Sequence, residues 1–114
     1  MSTDGWKSRD YAIEKLTTAV QCLALGEGDV RYRVAAACHV LVPLREADFP
    51  VELRKSWRWL QKESTKFGPL EVAGKNYKGS IDHTMHRVRK STAAKLARTI
   101  WELYWSASKN VRYE

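Results

Sequence analysis

Asp29-Val30-Arg31-Tyr32-Arg33-Val34-Ala35-Ala36-Ala37-Cys38-His39-Val40-Leu41-Val42-Pro43 is the stretch that decides the fold. From Val34 to Val42 it is apolar nearly all round, His39 excepted. A helix of that composition has no polar side to offer water and belongs at the centre of its domain. Its alanines allow neighbouring helices to pack closely. Asp29 is a capping residue type, and Pro43 removes a backbone donor and clashes with the preceding turn, so the helix is predicted over about Val30 to Val42. The apolar run is about half the ~20 residues of a membrane span.

Working outward, Ala12, Ile13, Leu16, Ala19, Val20 and Leu23 recur at helical spacing and predict a first helix from about Ser8 to Ala24. Gly26 then stands where a terminating glycine belongs, and Glu27-Gly28 makes the turn. On the other side, Asp48-Phe49-Pro50 opens a third helix, since a proline in the first turn loses no hydrogen bond. Its inner stripe is Leu53, Ser56, Trp57, Leu60, Ser64 and Phe67, and Gly68-Pro69 ends it. Residues 68–79 are expected to be one long loop. Ser80 caps a short helix to about Val88. Ser91 or Thr92 caps a last helix to about Ala107, with Ala93, Leu96, Ala97, Ile100, Leu103 and Tyr104 inside. The expected fold is all-α: one domain over residues 1–114, a compact bundle of four main helices plus one short helix, with residues 1–7 flexible.

Charge is unevenly spread. Residues 1–50 carry six Lys/Arg and seven Asp/Glu, whereas residues 51–114 carry fourteen and six, so the whole excess of the net +7 lies in the second half. That asymmetry points to an acidic partner, nucleic acid being the commonest kind. No secretory or lipidation signal is read at either end, and a cytoplasmic location without membrane contact is expected. The two cysteines, Cys22 and Cys38, are expected to be reduced thiols.

At 100° per residue, Arg54, Lys55, Arg58, Lys62 and Lys66 gather on about a third of the third helix, bordered by Trp59. Cations beside an indole suit phosphates and bases; a solvated face whose Trp59 packs on another helix is the competing account. A second cluster holds Arg87, Arg89 and Lys90, continued by Lys95 and Arg98 on the polar side of the last helix. Trp105 is expected half-exposed beside it and Trp101 on the core margin, where they extend that surface, make a protein-binding hot spot or cover the bundle end.

Catalytic and metal patterns are absent. No nucleophile elbow, phosphate loop or H-E-x-x-H occurs. His83-x-x-His86 lacks further ligands, and Cys22, Cys38 and His39 make no zinc spacing. His39 is expected to be a satisfied core histidine. Its neighbour Cys38 diverges from it by about 100° on a helix, so they form no nucleophile–base pair. The segment Gly74 to Ser80 is expected to be a mobile loop with basic tips rather than a phosphate cradle. No enzyme, cofactor, metal or small-molecule substrate is expected.

Ala12-Ile13-Glu14-Lys15-Leu16 with Gly26-Glu27-Gly28, Asp48-Phe49-Pro50 with Glu52-Leu53, and Thr92-Ala93 with Lys95-Leu96-Ala97, Ile100 and Leu103-Tyr104 resemble short helical proteins of bacteria and their phages or mobile elements. The resemblance implies the helical fold and transfers no catalytic residue. The functional expectation is a non-enzymatic protein that binds DNA or RNA without sequence specificity, as in an accessory subunit of a nucleoprotein complex. The alternative is an interaction module docking on an acidic host protein.

Overall fold

The computed structural model describes the backbone of residues 3–112 and the side chains of residues 9–109. Along the chain run α1 (Thr3–Leu25), α2 (Val30–Leu41), two 3-10 turns (Glu46–Asp48 and Val51–Leu53), α3 (Arg54–Ser64), strands β1 (Leu70–Val72) and β2 (Lys75–Lys78), α4 (Ser80–Arg87) and α5 (Lys90–Arg112). The mainly helical bundle of four long helices and one short one is as the periodicities require. α1 is helical from Thr3; residues 1 and 2, at the start of the 1–7 segment, lie outside the described residues.

The core is built from the predicted stripes. Ala12, Leu16 and Ala19 of α1, Val34, Ala37 and Leu41 of α2, and Ala93, Leu96, Ile100 and Leu103 of α5 are all buried. α2 packs on α1, α4 and α5, the central position its composition called for. It is not buried all round, however. Tyr32, Ala36 and His39 are exposed, because three neighbouring helices leave one side of a cylinder uncovered. An alanine methyl tolerates that side cheaply. His39 is therefore not a core histidine: its Nε2 lies 2.8 Å from Asp82 Oδ1 at the surface.

Local chemistry explains the joints. Asp29 caps α2, accepting from the Arg31 backbone N–H at 2.8 Å. The Arg31 guanidinium first, and that N–H second, hold the Asp29 carboxyl below its usual range. Arg33 donates to the Leu23 carbonyl at 2.9 Å, covering an orphan acceptor at the end of α1. Gly26 does end α1, but through space rather than a left-handed φ: a Cβ there would stand 2.5 Å from the Cys22 carbonyl oxygen. Asp48 is buried and accepts from the Arg45 N–H at 2.8 Å, closing the first 3-10 turn. Phe49 then stacks on Trp57, ring centroids 4.7 Å apart, both buried.

The segment 68–79 is not a loop. β1 and β2 pair antiparallel, with Val72 opposite Lys75 across the two-residue turn Ala73-Gly74, and a bulge between Leu70 and Glu71. Both turn residues have positive φ, 53° and 79°, the conformation that matches the right-handed twist of a hairpin. The ribbon lies outside the core, with Val72 and Tyr77 exposed.

Candidate nucleic-acid interface

The inner side of α3 is Trp57, Leu60 and Ser64, all buried. Ser56 and Phe67, expected inside, are exposed. Opposite the buried stripe lie Lys55, Arg58, Trp59, Lys62 and Lys66, all exposed, as the 100° spacing requires. Their partners differ. Arg54 is turned to the backbone and donates to the Phe49 carbonyl at 2.9 Å, holding the turn that precedes α3. Arg58 pairs with Glu46 at 2.6 Å and Lys66 with Glu63 at 3.2 Å. Among the described residues, Lys55 and Lys62 make no ion pair or hydrogen bond. Trp59 is 40% exposed, half seated and half open.

The second cluster divides in a similar way. The Arg87 guanidinium lies 4.3 Å from the centroid of the Phe67 ring, and Lys66 Nζ approaches the same ring at 5.6 Å. Phe67 thereby joins the end of α3 to α4, a link reinforced where the buried Thr84 hydroxyl accepts from the Phe67 N–H at 3.1 Å. Sequence reasoning placed Phe67 in the core and missed this bridging role; its partners on α4 are sixteen and more residues away in the chain. Arg89, Lys90, Lys95 and Arg98 are exposed and carry no ion pair or side-chain hydrogen bond among the described residues, although the charge of Lys90 is felt at Asp29.

α5 carries the most unusual surface. Trp101 and Trp105 are 47% and 51% exposed, and their rings lie nearly parallel, 18° apart in plane and 6.1 Å between centroids. Trp101 is thus not on the core margin. It lies about 120° round the helix from the centre of the buried stripe Ala93–Leu96–Ile100–Leu103, so the same angular count that found Arg98 reaches it. Arg98 and Trp105 share its outward side. Tyr104 backs Trp101 at 5.5 Å.

Cys38 is buried, and burial pushes its thiol up to about 12, with a hydrogen bond to Ser64 pulling weakly the other way. A thiol so placed is inert. His83 is spent on the Gly68 carbonyl at 2.9 Å, while His86 is exposed. Among the described residues no three His, Cys, Asp or Glu side chains are placed to hold a metal ion, and no helix is long and apolar enough to cross a membrane.

No family model, curated protein or solved structure matches the chain. What it does has to be read from its own surface.

Proposed function

We propose that the protein binds nucleic acid without sequence specificity, through the outer face of α5 and the adjoining outer face of α3. The observation that carries this reading is the pair of exposed, near-parallel indoles Trp101 and Trp105 standing beside Arg98. Leaving two such rings to water is costly for a protein that uses them only for packing. Bases stack on exposed aromatic rings whatever their identity, and unpaired cations track the phosphates. Lys95 and Arg98 supply those cations on α5, with Arg89 and Lys90 at its N-terminal end, and Lys55 and Lys62 supply them on α3. The stripe residues Arg54, Arg58 and Lys66 contribute less, because each already has an acceptor within the fold.

Fluorescence anisotropy with mixed-sequence single strands and duplexes at low salt tests the reading. Trp101→Ala with Trp105→Ala is expected to weaken single strands by about ten-fold or more, and duplexes much less, since only unpaired bases offer their faces. Lys95→Glu with Arg98→Glu is expected to weaken all sequences alike. Absence of binding to either form at low salt overturns the proposal, and a pull-down with the charge-reversed variant as control then asks whether an acidic protein takes this face.

A further inference from the structure

A second place on the molecule is shaped for a ligand and shares no residue with the faces of α3 and α5. An open cleft of about 430 Å³ lies between α2, α4 and β2. Its size falls in the range of small-molecule sites. We propose that it binds a nucleoside monophosphate unit, free or at the end of a strand.

Two kinds of wall argue for that chemistry. The first is apolar: Tyr32 and Ala35 of α2 face Met85 of α4. Met85 is 2% exposed and forms a floor, whereas the Tyr32 ring is 61% exposed. Gly28, with φ +90°, makes room for that ring: a Cβ at Gly28 would come within 3.2 Å of Tyr32 Cδ2. An open aromatic ring against a turn, with a polarisable thioether in the same cleft, suits a flat base.

The second wall is polar. Arg31, Lys78 and His86 come from three different elements and converge on the same space. Two guanidinium nitrogens of Arg31 are held by Asp29, at 3.4 and 3.2 Å, which fixes the group and leaves Nη1 to donate. Lys78 and His86 make no ion pair or side-chain hydrogen bond among the described residues. These donors suit a phosphate. One carboxylate, Asp82, also lines the cleft, but its Oδ1 is bonded to His39 Nε2 at 2.8 Å. Its remaining oxygen is an acceptor for a ribose hydroxyl or a base amine. A bare anion would leave the ring and thioether unused, and a purely apolar ligand would leave the cations unused.

Titration with AMP at low salt, followed by amide chemical shifts, tests the site. The expected result is shifts confined to the region of Arg31, Tyr32, Ala35 and residues 78–86. Adenosine and inorganic phosphate are each expected to bind about ten-fold more weakly than AMP, and Tyr32→Ala and Lys78→Ala each to weaken AMP by about ten-fold, the effect of one stacked base or one charge-assisted hydrogen bond. Tyr32 is exposed and Lys78, half-buried, makes no ion pair or side-chain hydrogen bond among the described residues, so the variants are expected to keep the parent melting temperature. A 5′-phosphorylated short single strand compared with its unphosphorylated form tells a strand end from a free nucleotide: a preference for the phosphorylated end supports the first source, equal binding with AMP still saturating supports the second. No AMP shifts up to millimolar concentration, shifts that survive both substitutions, or inorganic phosphate binding as well as AMP overturns the inference. Failure here leaves binding through Trp101 and Arg98 untouched, because Lys95→Glu with Arg98→Glu and Lys78→Ala act on separate surfaces.

Discussion

Cys38 shows how strongly one side chain senses the centre of this bundle. Burial holds its thiol at about 12, against an ordinary value of 9.0. A folded-state value above the unfolded one means that the neutral thiol's contribution is fully present below pH 9 and is lost as pH rises towards 12. Across that window the parent is expected to lose stability relative to Cys38→Ala by about 1.4 kcal/mol per pH unit, read from denaturant midpoints at a series of pH values. Parallel curves for the two proteins would contradict it. Ala36 and Ala37 make the complementary point. They are adjacent in the sequence and look alike, yet Ala37 is fully buried and Ala36 exposed. Ala37→Glu is expected to unfold the domain, because a buried unpaired carboxylate costs more than a typical stability margin. Ala36→Glu is expected to melt within a few degrees of the parent. The sequence could place both on a central helix, but an all-apolar run has no polar side to mark which flank meets water. His39, the one polar residue in the run, was the available marker, but a lone histidine on an apolar helix reads as a core residue, and in the structure it pairs outward with Asp82.

At the scale of elements, the helices were legible because burial repeats along them: Leu16, Trp57, Leu60, Leu96 and Ile100 lie inside at the spacings the sequence displays. The hairpin was not. Its strands have three and four residues and expose both Val72 and Tyr77, so no alternation of buried and exposed positions betrays them. Its turn is also a poor advertisement, since Ala73 takes the left-handed conformation that glycine or asparagine normally fills. A non-glycine residue there carries about 1–2 kcal/mol of strain. Ala73→Asn is therefore expected to slow amide hydrogen exchange in β1 and β2 by about five-fold, the equivalent of about 1 kcal/mol, while the helices exchange as before. Unchanged or faster exchange in the hairpin would show that Ala73 is not strained. The outer faces of α3 and α5 were likewise legible as positions, because azimuth follows from the sequence. Which of their cations are free was not: Arg58 meets Glu46 from a separate turn, and Arg54 reaches back to Phe49.

At the scale of the whole molecule, the question is whether the faces of α3 and α5 act as one surface. The two helices pack on each other, and the body measures 28 by 20 Å across its two shorter axes. Packed helices lie about 8–10 Å apart with side chains reaching about 5 Å beyond each axis, a separation that one short strand can span. Apart from Arg89 and Lys90 at the N-terminal end of α5, the unpaired cations divide between them, Lys55 and Lys62 on α3, Lys95 and Arg98 on α5. If one strand crosses both and four phosphates are neutralised, log affinity falls with log salt at a slope of about 3 for single strands and nearer 4 for duplex, from about 0.7 and 0.9 per phosphate. Lys55→Glu with Lys62→Glu then lowers the single-strand slope by about 1.4, Lys95→Glu with Arg98→Glu by a similar amount, and the two losses add in the quadruple variant. Separate faces predict otherwise. The parent slope would stay below about 2, because each strand meets two cations, and reversing either face would leave the slope of the other unchanged. Trp59→Ala completes the test on the α3 side. On a continuous surface it weakens the same single strand that Trp101→Ala weakens, whereas on separate faces a strand saturating α5 is indifferent to it. The measurement is a salt titration of anisotropy on the parent and five variants, and a parent slope below about 2 that ignores reversal of α3 would confine binding to α5.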